Sequence, residues 1–363
     1  MARLRFVIQS NILAKILMLL FVNLLVSTAY AQSPQKLINV NNTQQLYTAL
    51  EQANKSGNTS IILADGKYKA NKTLFIKSDH ISLYSASGNR NSVVITGTGM
   101  KRTGGVNNLI HVSAKHFTLD GITLQQTGNH LIQIAGEQDA DFPTLRNCVL
   151  RDAYEQLLKV SYNSKTKVAS DNGLIENCEF SYSAGIGPQY YIGGIDVHGG
   201  HNWVVRNNHF QDIASPESKV AEHAIHFWNN TKNILVENNT IINCDRGIGF
   251  GMKNHPNSGG IIQNNLILHS ANDHPNADVG IILEESPNTK ILNNKIYMAH
   301  SYFNAIEYRF PATLNTEIRG NLTNKSIRKR DDASAVLPNN SRSKMLSDFL
   351  TEEQSTSFKP LFD

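Results

Sequence analysis

Cysteine is scarce in this sequence: Cys148, Cys178 and Cys244 are the only three in 363 residues. That excludes a disulfide framework, although not a single bridge. Charge of either sign is nearly cancelled, with 34 Lys and Arg against 30 Asp and Glu, a net of +4. So small an excess argues against a nucleic-acid partner held through its phosphates. After residue 31 no apolar run reaches the length of a membrane span.

The one long apolar run lies at the start. Arg3, Arg5 and Lys15 precede or open an apolar stretch over residues 16–26, and Ala29-Tyr30-Ala31 has the form of a cleavage site. Residues 1–31 are therefore expected to be a signal peptide. A retained anchor is the alternative, but Asn23 interrupts a run already short for a span. The mature chain would lose three cations and no acid, giving 4 − 3 = +1. It is expected to be soluble, with no membrane contact after signal removal, and periplasmic or secreted.

What the sequence does contain is a repeat. Leu145-Arg146-Asn147-Cys148 returns as Ile175-Glu176-Asn177-Cys178, Val205-Arg206-Asn207-Asn208, Val236-Glu237-Asn238-Asn239, Ile262-Gln263-Asn264-Asn265 and Ile291-Leu292-Asn293-Asn294. The spacing is 26 to 31 residues, with weaker copies at Leu119-Asp120-Gly121 and Ile318-Arg319-Gly320-Asn321. A fixed period in this range marks a solenoid. The apolar runs are strand-sized and Asn recurs at the turn, so each unit is predicted to be one coil of an all-β, parallel β-helix with stacked Asn residues. Cys148 and Cys178 share a repeat position, which puts their backbones ~4.8 Å apart, as stacked thiols or as a bridge.

Four regions follow: the signal peptide, a cap with the first strands over residues 32–72, coils over 73–324, and a tail over 325–363. Within the cap, residues 43–53 place Leu46, Ala49, Leu50 and Ala53 on one helical face. An amphipathic helix there would cover the open end of the solenoid. The tail departs from the period and is expected to cover the far end or fold along a flank.

A second strand aligns in seven coils: Ile132-Gln133-Ile134-Ala135, Leu158-Lys159-Val160-Ser161, Ile195-Asp196-Val197-His198, Ile225-His226-Phe227-Trp228, Ile248-Gly249-Phe250-Gly251, Ile281-Ile282-Leu283-Glu284 and Ile306-Glu307-Tyr308-Arg309. First and third positions are apolar in every row and should face the core, leaving the second and fourth outward. Lys159, Asp196 and His226 then stand on consecutive coils, flanked by His198 and Trp228. Gly249 and Gly251 would leave a shelf beside Trp228 on which a sugar ring could stack.

Glu222, Asp245 and Asp278 hold one common offset before their strands. Stacked carboxylates repel unless a cation intervenes, and an all-oxygen set suits Ca²⁺. Neutralisation by the adjacent His223 and Arg246 is the competing expectation. Insertions at residues 162–171 and 181–191, the latter with Tyr182, Tyr190 and Tyr191, and a shorter loop at 252–258 with Lys253 and His255, are expected to wall a groove.

With these repeats the chain resembles the right-handed parallel β-helix superfamily of pectate-lyase-like proteins, over nearly all of the mature sequence. Asp65-Gly66-Lys67-Tyr68 and Glu222 are similar to features of its chondroitinase B and alginate lyase family. The resemblance implies an exported protein whose partner is an acidic polysaccharide, acting as lyase, hydrolase or C5-epimerase. It departs where that family's catalytic lysine and arginine would fall, near Asn229 and Gly251. Asp196-Val197-His198-Gly199 only echoes the epimerases' Asp-Pro-His-Asp.

On the first reading, the protein removes the C5 proton of a uronate. Lys159, Arg246, Arg309 or a Ca²⁺ would neutralise the carboxylate, His198 or His226 would be the base, and Asp196 would orient them. Tyr190, Trp228, Lys253, Glu284 and Arg309 would bind substrate. A glycoside hydrolase using carboxylates among Glu222, Asp245, Asp278 and Asp196 is the second reading. A non-catalytic carbohydrate-binding protein is the third.

Overall fold

The computed structural model describes residues 35–101, 105–271 and 274–362. The predicted signal peptide lies outside these residues. From Leu37 onward the chain forms one unit. Among the described residues, its strands make three parallel sheets of twelve, ten and eleven strands, and each sheet takes one strand from successive coils.

The Asn-Asn repeat explains how each coil turns. The first residue of each pair, Asn147, Asn177, Asn207, Asn238, Asn264 and Asn293, has φ between 51° and 56°. Asn tolerates this left-handed corner better than most residues, because its short amide can bond locally. The second residue points inward and builds a ladder. Asn208, Asn239, Asn265 and Asn294 each donate their backbone N–H to the side-chain carbonyl of the next Asn, at 2.9–3.0 Å, and the ladder continues through Asn321 to Asn340. Cys178 donates its N–H to Asn208 Oδ1 at 2.8 Å, and Cys148 donates to Cys178 Sγ at 3.4 Å. All three cysteines are free and buried. The two repeat cysteines are thus stacked thiols occupying ladder positions, not a bridge.

The amphipathic helix forms over Thr43–Ser56, N-capped by the Asn42 side chain, and buries Leu46, Tyr47, Ala49, Leu50 and Ala53. These residues join the same apolar core as the coils. A second helix, Glu352–Phe358, has no buried residue and is separate from this cap. Beyond Lys325 the period fades from the sequence, yet Ser326–Lys329, Ala335–Val336 and Ser341–Arg342 add a strand to each sheet. This last coil is shorter, and its ladder residue Asn340 lies only 19 positions after Asn321. Phe349 then packs edge-on against Tyr297 and is fully buried.

Alternation in the ten-stranded sheet follows the aligned rows. The first and third residues of all seven rows are at most 5% exposed, each large aliphatic contributing roughly 1.5–3 kcal/mol by burial.

Asn239→Ala should remove the acceptor for the Asn208 N–H and leave a buried donor unpaired. Its expected cost is about 2 kcal/mol. Asn238→Gly, at the neighbouring left-handed corner, should cost under about 0.5 kcal/mol because Gly adopts that φ freely. Urea unfolding midpoints of the two variants check the division of labour within the pair.

Candidate functional site

The ten-stranded sheet pairs Lys159 with Asp196, Asp196 with His226, His226 with Gly249, and His198 with Trp228. These are the expected columns, and their side chains knit together across the coils. Lys159 Nζ pairs with Asp196 Oδ2 and lies 2.7 Å from His198 Nε2. The Trp228 indole donates to Asp196 Oδ1 at 2.7 Å. His226 stacks on Trp228 with ring centroids 5.5 Å apart, and its Nε2 lies 3.1 Å from the Gly251 carbonyl.

Burial alone would raise the Asp196 pKa, but Lys159, His198 and His226 together hold the carboxyl well below the usual range. His198 is pushed down by burial against the opposing pull of Asp196. The Lys159 N–H can therefore donate into a neutral imidazole. Outward orientation does not mean exposure here: Asp196 and His226 are each only 3% exposed. Lys159 and His198 retain more accessible side chains, at 12% and 17%.

Beside this network lies a cavity of about 120 Å³. Glu222, His223 and His226 line one part of it, and three arginines with their acids line another, beside Met252, Ile282 and Tyr302. Arg246 Nε meets Asp278 at 3.0 Å, Arg309 meets Glu284 at 3.0 Å, and Arg330 meets Glu307 at 2.8 Å. Glu307 has no exposure at all. Burial works to raise its pKa, but donation from Tyr302, Asn304 and Arg330 outweighs that and keeps it low.

Several expectations are corrected by this geometry. Glu222, Asp245 and Asp278 do not share an oxygen cage. Asp245 is 1% exposed, and its Oδ2 accepts the N–H groups of Ser215 and Ala221 at 3.0 and 2.9 Å. Asp278 is taken by Arg246, and Glu222 faces His226 and His223 at 3.6 and 3.9 Å. Among the described residues the three carboxylates do not converge as one ligand group. The shelf is also filled. A Cβ on Gly249 would come within 2.6 Å of His223 Nε2, so that glycine makes room for an imidazole. Gly251, at φ 74°, has the Glu284 carbonyl where its Cβ would be.

Of the other candidate residues, Tyr190 lies beneath Lys219 Nζ, 4.4 Å from its ring centroid, and does not line the cavity. Tyr182, by contrast, is a packing residue, buried with its hydroxyl on the Glu155 carbonyl. Lys253 is exposed and lies over Phe310 at 5.7 Å, while its backbone N–H donates to Glu284. Tyr302 and Arg330 escaped the sequence reading because one sits in a loop and the other beyond the visible period. His223 was legible only as a neighbour of Glu222.

The comparisons with known proteins agree with the coil geometry. Residues 168–326 match a family model described as a right handed beta helix region. The chain is a right-handed parallel β-helix. No curated protein matches this β-helix. Among solved structures, alginate lyase from Paenibacillus sp. str. FPU-7 is 14% identical, with 85% of this chain and 99% of that chain covered and a TM-score of 0.57. PfbA, a surface adhesin of Streptococcus pneumoniae, is also 14% identical, with 83% and 87% covered and a TM-score of 0.54. At such identity the likeness is one of fold alone.

Acid should weaken this β-helix before it reaches the carboxylates. His269 is 2% exposed, and burial pushes its pKa down to about 4, against about 6.5 unfolded. The unfolded chain therefore binds the extra proton, and this stability is full above pH 6.5 and lost as pH falls toward 4. Asp196, with a lowered pKa, keeps its contribution down to the unfolded carboxylate value and adds no slope in that window. Urea midpoints should drop between pH 7 and 5. His269→Gln should flatten the fall by roughly 2 kcal/mol.

Proposed function

We propose that this protein is an exported enzyme that binds a uronic-acid polysaccharide and removes the proton at C5, as a lyase or a C5-epimerase. The observation that carries this reading is Lys159, held between Asp196 and His198 on the solvent side of the sheet. A uronate carboxylate is a better acceptor for an ammonium than a neutral imidazole. Its arrival draws a Lys159 N–H away from His198 Nε2. One movement then does two jobs: the carboxylate is neutralised, which acidifies C5–H, and the His198 lone pair is freed to act as base.

The C5–H bond breaks, its proton goes to His198 Nε2, and its electrons pass into the carboxylate beside Lys159. In a lyase those electrons return to form C4=C5. The C4–O bond breaks, and the proton on His198 is handed to the departing oxygen. In an epimerase water delivers a proton to C5 from the opposite face, and His198 releases the one it took to solvent. Asp196 holds Lys159 in place through their ion pair, and Trp228 fixes Asp196 through its indole N–H. His226, too buried to meet a sugar ring, is a positioning residue. Two fold-mates, one named an alginate lyase and one an adhesin, show that the fold serves both catalysis and adhesion, so the residues must decide.

Incubation with alginate, pectate, chondroitin sulfate and glucuronan in D₂O tests this reading. Ultraviolet absorbance from C4=C5 reports a lyase, and deuterium at C5 without absorbance reports an epimerase. Lys159→Ala and His198→Ala should each cut turnover at least about 100-fold, with binding retained in His198→Ala. New reducing ends without absorbance, or binding with neither signal, would replace the proposal with a hydrolase or an adhesive protein.

A further inference from the structure

His223 and His226 present an uncommon arrangement of buried nitrogen. His223 is 5% exposed, and among the described residues neither of its ring nitrogens has a hydrogen-bond partner. His226 is 3% exposed and its Nδ1 is likewise unpartnered. An unpaired buried polar group costs about 1–3 kcal/mol, and three such atoms on two touching rings call for an explanation. The rings lie 4.3 Å apart, and the Glu222 carboxylate closes the group, 3.6 Å from His226 Nδ1 and 3.9 Å from His223 Nδ1. These three side chains are the one group among the described residues whose potential ligand atoms all lie within 4.8 Å of each other.

We infer that Glu222, His223 and His226 form a site for a divalent transition-metal ion, with Zn²⁺ the natural occupant. Two imidazoles and a carboxylate are the donors of open zinc sites and not those of a calcium cage. Zinc bonds of 2.0–2.1 Å in tetrahedral geometry place ligand atoms about 3.3 Å apart, so the carboxylate must close on His226 and His223 from 3.6 and 3.9 Å and the whole group must draw in from within 4.8 Å. His226 already carries the outer contact expected of a ligand. Its Nε2 faces the Gly251 carbonyl at 3.1 Å; a carbonyl only accepts, so Nε2 carries a proton and Nδ1 is the nitrogen turned to the site. Fixing the tautomer in this way is the usual second contact of a ligating histidine.

Gly249 supplies the room. A side chain there would strike the His223 ring, which rests over the bare backbone of the next coil. The fourth position would open into the cavity, where Arg246 is already neutralised by Asp278. An anionic oxygen ligand could occupy it. The site needs no substrate to exist, and it shares only His226 with the proton-abstraction reading above.

Metal-stripped protein titrated with Co²⁺ tests the inference without any activity measurement. Tetrahedral ligand-field absorption should saturate at one ion per chain, be displaced by Zn²⁺ and resist Ca²⁺. His223→Gln and Glu222→Gln should each weaken Zn²⁺ binding at least about 100-fold, while circular dichroism stays that of the β-helix. X-ray absorption of the zinc-loaded wild type should find two imidazoles, which keeps the test decisive if a buried substitution unfolds the chain. No saturable Co²⁺ spectrum, an all-oxygen zinc environment, or Co²⁺ binding untouched by His223→Gln would overturn the site.

Discussion

Everything in this molecule follows from parallel strands stacked in register, one coil upon the next. A parallel ladder with a strand spacing of ~4.8 Å forces each side chain to live beside the residue at the same repeat position, twice over. Apolar columns satisfy that condition at once, and Asn satisfies it by donating to one neighbour and accepting from the other. Charged columns do not. The chemistry-bearing residues are those for which stacking like upon like fails and for which the chain has supplied a partner of the opposite kind.

On this view the Lys159–Asp196–His226 column is a solution to a constraint before it is anything else. Lysine, carboxylate and imidazole alternate along one line, and Trp228 and His198 fill the flank. The same principle pairs Arg246 with Asp278, Arg309 with Glu284 and Arg330 with Glu307 across adjacent coils. Glu222 with its two histidines is the place where the pairing is left incomplete by direct contact.

Sequence alone revealed the coils because period and alternation are properties of backbone register. It assigned neighbours across three coils in the central columns for the same reason. It could not tell outward from exposed: His226 points away from the core yet is covered by Trp228 and Glu222. Nor could a common offset say where a carboxylate turns. Asp245 folds back onto two amide groups, while Glu222 and Asp278 reach the cavity. Arg330 and Asn340 were hidden because the last coil is shortened, and a period detector sees only full-length turns.

That shortened coil completes the cavity wall. Glu307 is sealed from solvent, and the arginine that balances its charge belongs to the final coil. Without that coil Glu307 would lose its arginine and keep only Tyr302 and Asn304 as partners. The coil over residues 326–342 thus acts as a keystone: it carries the charge that balances the working face.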